Sequence, residues 1–198
     1  PTPGPHDAVA KVAATSLCVT DAHSYRWDEW AQRRIHPPRI IGHELCGHVV
    51  EVGREVSLVK VGDYVAAESH ITCGRCFQCR TGQAHVCKNY KILGIDRDGS
   101  YAQYVALPEG VLWHTAPDIP PELACVQEPL GNAVDAALAE DLTGHTVLIT
   151  GCGPTGLFAA AVARTAGAAT IIASDVSDYR LGLAKQVGVD HVLNVRTE

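Results

Sequence analysis

Four cysteines, Cys73, Cys76, Cys79 and Cys87, follow one another in the spacing C-x2-C-x2-C-x7-C. Gaps this short let one loop gather four thiols at little cost in closure entropy. A closed four-thiolate shell is the arrangement zinc takes in structural sites. Residues 73–87 are therefore expected to fold around a structural zinc ion. An iron–sulfur cluster also takes four thiolates; the x7 gap and the other motifs of the chain favour zinc.

The other four cysteines, Cys18, Cys46, Cys125 and Cys152, are scattered, and the start Pro1-Thr-Pro-Gly-Pro-His6 lacks the basic and apolar blocks of a secretory leader. Reduced thiols in a cytoplasmic protein are the expectation, not a disulfide scaffold. Sixteen Lys and Arg against 22 Asp and Glu leave no basic stripe, which argues against a nucleic-acid partner. The longest apolar stretch, 156–174, is interrupted by Arg164 and Thr165 and reads as helix then strand, so no membrane partner is expected. The metal-binding and dinucleotide motifs of the chain point instead to a small-molecule substrate. With no methionine, and with the chain stopping soon after a third parallel-strand pattern, the 198 residues are expected to be an internal piece of a longer protein. Alone, they should be poorly stable and inactive, because strand edges and apolar faces stay uncovered.

Segments 8–14, 45–52, 64–67 and 103–107 have the short, β-branched character of strands. Frequent Gly and Pro between them predict an irregular, barrel-like β domain. From about residue 121 the texture changes. Residues 121–140 read as one or two helices interrupted at Pro129. Strand 146–150, helix 154–166, strand 170–175, helix 178–187 and a strand near 191–194 then follow in β-α-β order, which implies a parallel sheet. The class is α/β, with a β-rich domain at 1–141 and the beginning of a doubly wound sheet at 142–198, too short for six strands.

Gly151-Cys152-Gly153-Pro154-Thr155-Gly156 is a G-x-G-x-x-G loop set between the apolar strand 146–150 and an alanine-rich helix, the context in which that motif seats a dinucleotide. Gly151 serves the tight turn, Gly153 the approach of the pyrophosphate and Gly156 the packing of helix on strand. Pro154 and Thr155 open the helix, whose free N–H groups face the phosphates. Asp175 ends the second strand, where a carboxylate can bind ribose hydroxyls and repel a 2′-phosphate; this favours NAD over NADP. Arg180 is the counter-signal, since it could reach a phosphate.

Gly42-His43-Glu44-Leu45-Cys46-Gly47, continued by Gly53 and Val56, matches G-H-E-x2-G-x5-G-x2-V, the signature of the zinc-containing medium-chain alcohol dehydrogenases. The chain resembles that family over nearly all of its length. Its L-threonine 3-dehydrogenase branch is resembled most, through Cys18-Val-Thr-Asp-Ala-His23, Tyr25 to Ala31 with its two tryptophans, Glu68-Ser-His-Ile-Thr-Cys73, Gly94 to Gly99 and Gln127-Glu-Pro-Leu-Gly-Asn-Ala-Val134. Polyol dehydrogenases share the Glu-Pro-Leu element and the cysteine run but match the tryptophan-rich segment less well.

The resemblance implies a GroES-like catalytic domain followed by a truncated Rossmann domain, two zinc ions per chain, NAD, and a homotetrameric full-length parent. It implies a second, catalytic zinc on Cys18, His43 and Glu44, with Glu128 as a direct or exchanging fourth ligand. Thr20 and His23 would relay a proton, and His70 would lie near the substrate. The reaction implied is hydride transfer from the secondary hydroxyl of L-threonine to NAD+, giving 2-amino-3-oxobutanoate. A polyol or 2,3-butanediol dehydrogenase is the alternative within enzymes, and a non-catalytic zinc- and nucleotide-binding protein the alternative from another class. One departure stands out: Val19 replaces the family's usual glycine. A valine cannot readily adopt positive φ, so the loop carrying Cys18 and Thr20 is expected to be shifted.

Overall fold

The computed structural model describes residues 1–197. The elements run β1 (Asp7–Thr15), α1 (Val19–Arg26), α2 (Glu29–Arg34), β2 (Leu45–Val52), β3 (Tyr64–Ala67), β4 (His70–Ile71), α3 (Phe77–Arg80), β5 (Lys91–Ile92), β6 (Tyr104–Pro108), β7 (Leu112–His114), α4 (Pro121–Ala124), α5 (Gln127–Ala137), β8 (Thr146–Thr150), α6 (Pro154–Thr165), β9 (Thr170–Asp175), α7 (Asp178–Gln186) and β10 (His191–Asn194). The chain divides into two compact units, Pro1–Glu128 and Pro129–Glu198. The division lies upstream of the 141/142 position at which the sequence changes texture.

In the first unit a five-stranded sheet has the order β6-β1-β2-β3-β7, and β4 and β5 form a separate antiparallel pair. β1 is its longest strand, with β2 on one side and β6 on the other, both antiparallel. Ala8, Ala10, Leu45, Val49, Val65, Ala67, Val105 and Leu107 are buried in one cluster with Leu93, Val111 and Leu112. β1 places the small alanines Ala8 and Ala10 in this core, and two register shifts in the β1–β2 ladder bend the strand.

The second unit is a parallel sheet of order β10-β9-β8. Its core joins Ala160 and Ala163 of α6, Leu181 and Ala184 of α7, and Ile171 and Ala173 of β9. Among the described residues, no helix is long and apolar enough to cross a membrane.

Two expectations need correction. Pro129 does not interrupt a helix; it sits third in α5, and the break comes earlier, between α4 and α5. A first-turn proline is tolerated because its missing N–H would have no intrahelical acceptor. Val19 does not displace its loop through φ. It is the first residue of α1, and Trp27 is the one non-glycine residue with positive φ among those described. The segment 19–34, given no structure by its sequence pattern, holds two short helices. Trp27, at φ 51°, ends α1, and Asp28 caps α2 by accepting the Ala31 N–H at 3.1 Å.

Candidate active site and metal centres

The four clustered cysteines converge. Their sulfurs all lie within 4.8 Å of one another, with Sγ–Sγ distances of 3.5 Å for Cys76–Cys79, 3.7 Å for Cys76–Cys87 and 3.5 Å for Cys73–Cys87. A tetrahedron with Zn–S bonds of about 2.3 Å has edges of about 3.8 Å, so the shell already has the size of one zinc ion. None of the eight cysteines forms a disulfide. The short loop also prepares thiolates. N–H groups reach the sulfurs from Cys73 and Asn89 to Cys87, both at 3.4 Å, and from the Asn89 side chain to Cys73 at 3.6 Å. Hydrogen bonds from the Arg75 backbone and the Asn89 side chain hold the Cys73 thiol at about 6. Desolvation, joined by its sulfur neighbours, pushes Cys79 up to about 12. Such a mixed cluster sheds its remaining protons when a metal enters.

A second group joins Cys18, His43 and Glu44, whose ligand atoms also lie within 4.8 Å of one another. Cys18 stands at the start of α1 in extended conformation, and its N–H donates to Asp21 Oδ2 at 2.9 Å. Asp21 is buried. It also accepts the Tyr101 hydroxyl at 2.9 Å and faces His43 Nδ1 at 3.9 Å. Burial, then the Asp21 carboxylate, raise the Tyr101 pKa well above its usual range, so Tyr101 stays a donor. The turn before His43 depends on Gly42, at φ 92°. A Cβ there would lie 2.4 Å from the Tyr101 ring. Glu44 is held by the Ser16 hydroxyl at one carboxylate oxygen, while its own carbonyl accepts the Thr15 hydroxyl at 2.9 Å.

The hydrogen bond to His43 is the main influence lowering the Cys18 thiol, against the opposing effect of burial. Burial opposes protonation of His43, but Cys18 and Asp21 together raise its pKa. The thiol is therefore more readily ionised than a free cysteine, and the thiolate is the form that binds metal. His43 and Glu44 are buried while Cys18 is half-buried, so the group opens on the Cys18 side. A thiolate, an imidazole and a carboxylate with one open side form the donor set of a catalytic zinc. In this unit the buried carboxylates Asp21, Glu44 and Glu128 face no buried Lys or Arg among the described residues. A dication fits that imbalance.

Glu128 is not in this ligand group. Its carboxylate is with Glu68 and His70 in a third cluster within 4.8 Å and accepts the Ser69 hydroxyl at 2.6 Å. Its charge still acts on His43, and burial raises its own pKa. His70 Nδ1 meets Glu68 at 2.8 Å. Thr20 Oγ1 is 3.6 Å from Cys18 Sγ. His23, three residues further along α1, contacts Asp28 through Nδ1 and stacks at a tilt on Trp30 at 6.1 Å. Sequence reasoning passed over Ser16, Asp21, Glu68, Ser69 and Tyr101. Only Asp21 carried a local signal, a carboxylate three residues after a helix-starting Cys18.

The glycine loop of the second unit is tied to the end of β9. Gly151 N–H donates to the Ser174 carbonyl at 2.7 Å, and Cys152 N–H donates to Asp175 Oδ2, also at 2.7 Å. Asp175 Oδ1 accepts from Ser177 N–H at 2.9 Å. These backbone donors, Cys152 first, lower the Asp175 pKa. Gly153 caps α6 and Pro154 is its first residue, with Thr155 following. A Cβ on Gly156 would lie 1.9 Å from the Gly151 carbonyl oxygen. Arg180 lies in the first turn of α7, its N–H on the Ser177 hydroxyl at 3.5 Å.

The chain is 55% identical to L-threonine 3-dehydrogenase of Pyrococcus horikoshii over 194 residues, covering 98% of the chain and 56% of that relative. It is 56% identical to the enzyme of the same name from Symbiobacterium thermophilum, of which it covers 55%. The chain thus spans little more than half the length of these relatives. Among solved structures, a protein described as a zinc-binding dehydrogenase from Sinorhizobium meliloti, bound to NADP, superposes with a TM-score of 0.90 at 34% identity, over 100% of this chain and 57% of that one. Galactitol-1-phosphate dehydrogenase from Escherichia coli superposes with a TM-score of 0.88 at 28% identity, over 98% and 56%. The zinc-binding dehydrogenase model matches residues 154–198. The alcohol dehydrogenase GroES-like domain model matches residues 4–118, more than half of the chain, and the chain therefore belongs to the zinc-binding alcohol dehydrogenase family.

Proposed function

We propose that this chain supplies the zinc-binding catalytic domain and the first part of the NAD-binding domain of an L-threonine 3-dehydrogenase. The reaction would oxidise the secondary hydroxyl of L-threonine and give 2-amino-3-oxobutanoate. The observation that carries the proposal is the open Cys18–His43–Glu44 group with buried Glu128 close enough to influence it, in a chain more than half identical to relatives bearing that name. The distribution of likeness favours this reading over a polyol substrate, since a sugar-phosphate dehydrogenase is matched in shape but at only 28% identity.

Cys18, His43 and Glu44 would hold the first zinc, with Glu128 available to join them, and Cys73, Cys76, Cys79 and Cys87 the second. When bound, zinc supplies Lewis acidity toward the substrate hydroxyl and NAD supplies the hydride acceptor. The chain's own part is orientation and proton handling. Asp21, buried beside His43 Nδ1, would orient the ring, as carboxylates behind metal-bound imidazoles do. Thr20 Oγ1, beside the Cys18 sulfur, is placed to accept the substrate proton while passing on its own. That proton would leave through the cofactor ribose toward His23, half-exposed on the same helix, and solvent. Gly151, Gly153, Pro154, Thr155 and Gly156 would cradle the pyrophosphate. Asp175 would bind the ribose hydroxyls and disfavour a 2′-phosphate, against the pull of Arg180. The family resemblance extends the proposal to a cytoplasmic homotetramer.

The test is zinc content per chain of the full-length protein, with NADH formation from L-threonine assayed in the same preparation. Two zinc ions and threonine-dependent NADH are expected. One zinc ion and no turnover would reject the catalytic site. Turnover of sorbitol or 2,3-butanediol with none of threonine would reject the substrate.

A further inference from the structure

Proton accounting around His70 singles out a residue that the site description leaves without a role. The ring nitrogen Nδ1 has two oxygen neighbours, Glu68 Oε1 at 2.8 Å and Ser69 Oγ at 3.2 Å. Ser69 has one hydroxyl proton, and it is directed at Glu128 Oε1 at 2.6 Å. Toward His70, then, Ser69 can only accept, and a carboxylate can only accept. With both carboxylates ionised, Nδ1 therefore carries a proton whether the ring is neutral or charged. The other nitrogen, Nε2, has no protein partner among the described residues, and the side chain is 39% exposed.

The arrangement is built in from several directions. Glu68 Oε1 also accepts the backbone N–H of His70 at 2.9 Å, so one oxygen grips both the ring and its main chain. The backbone of Glu68 is fixed by its own N–H to Val111 at 2.8 Å, and Ser69 by its carbonyl to Leu93 N–H at 3.0 Å. His70 pairs with Ile92 across β4 and β5, and its ring lies at a tilt on Tyr90 at 5.9 Å.

We propose that Glu68 is a positioning residue for substrate binding: it holds His70 with Nδ1 protonated and turned inward, leaving Nε2 as the nitrogen that meets the substrate. This rests on the dehydrogenase reading above. A fixed second partner of this kind sets which nitrogen of a histidine does the work. Because the grip acts on recognition and not on the zinc ligands, its loss should appear in KM and spare kcat.

The experiment uses the zinc-loaded full-length protein with Glu68→Ala and Glu68→Gln. Glu68→Ala is expected to raise KM for L-threonine about tenfold, the worth of one hydrogen bond to a charged group, with kcat changed less than threefold and the melting temperature within a few degrees. Glu68→Gln keeps an acceptor oxygen for both N–H groups and should recover most of the KM. In 15N NMR spectra, the His70 Nδ1 resonance should be that of a protonated nitrogen in the parent and in Glu68→Gln, and should shift toward the mixed-tautomer value in Glu68→Ala. An unchanged KM in Glu68→Ala, or equal losses in kcat, KM and melting temperature in both variants, would overturn the proposal. If the parent forms no NADH from threonine, the functional reading fails, and an Nδ1 resonance unaffected by Glu68→Ala would sink the positioning role separately.

Discussion

Gly156→Ala isolates the contact on which the proposed dinucleotide loop depends. The added Cβ would sit 1.9 Å from the Gly151 carbonyl oxygen, 3.1 Å from its carbon and 3.4 Å from Ile149 Cγ2. A relaxed carbon–oxygen contact is about 3.2 Å, so loop and helix must separate by about 1.3 Å, the kind of overpacking that costs about 1–3 kcal/mol. The loop cannot yield cheaply, because Gly151 and Cys152 are bonded to Ser174 and Asp175. Nor can the helix, because Ala160 and Ala163 of α6 are buried against the sheet. Either response misplaces the N–H groups at the start of α6, and dinucleotide affinity should fall at least tenfold, about 1.4 kcal/mol. The assay is NADH fluorescence titration of the full-length protein, paired with urea unfolding. Gly182→Ala is the control. It lies in the interior of α7 with nothing within 4 Å of the new methyl, and should stabilise by about 0.5–1 kcal/mol. Some dinucleotide folds carry alanine at the third glycine position. If Gly156→Ala bound NADH and unfolded like the parent, the close-packing argument would be wrong.

Three further predictions concern the first unit. Gly42→Ala places a methyl 2.4 Å from the Tyr101 ring at a φ of 92°; it should push Tyr101 off Asp21, cost about 2 kcal/mol or more, and lower zinc from two ions per chain to one, read by elemental analysis. Cys87→Ser removes a buried sulfur that touches two others; one zinc should be lost and the melting temperature should drop, whereas two retained ions would contradict a four-thiolate site. Asp96 accepts Arg34 at 2.8 Å and the Ile92 N–H at 2.7 Å; burial opposes its ionisation, but those partners lower its pKa on balance. Its folded pKa lies below the unfolded value of about 3.9, so its contribution is full above about pH 4 and disappears as pH falls through the folded pKa. Asp96→Asn should cost about 1–2 kcal/mol at neutral pH and almost nothing in strong acid. Equal destabilisation at both pH values, measured by urea unfolding, would refute the charge argument.

The parts of the fold legible in the sequence are those whose own side chains drive burial. Strands 45–52, 64–67, 146–150 and 170–175 stand where their apolar runs put them. α1 and α2 were invisible because neither has an apolar stripe. α1 buries Asp21 alone and α2 Ala31 alone. What holds them is polar and local: Asp28 caps α2 and contacts His23, while the Gln32 amide donates to the Trp27 carbonyl at 2.7 Å. β4 and β5 have two residues each and exist through pairing with one another, which no local pattern encodes.

The site divides the same way, and its electrostatics explain the division. Candidate ligands carry their chemistry in their identity and spacing, so the groups that converge at Cys73 to Cys87 and at His43 and Glu44 were legible in the sequence. The residues that aim them are ordinary until burial makes them significant. An aspartate at 21 is unremarkable in sequence. Buried between the Cys18 N–H, the Tyr101 hydroxyl and the His43 ring, it becomes a carboxylate that must keep all three partners, since an unpaired buried charge is costly. Ser69 is equally plain, yet its single proton links Glu128 to the face on which His70 sits. Three buried carboxylates around one imidazole would be a poor way to stabilise a domain, because desolvation outweighs what hydrogen bonds return. The same set is well suited to a site that receives a dication, whose charge offsets the imbalance once bound. The first unit thus buries an excess of carboxylate charge that a dication would offset.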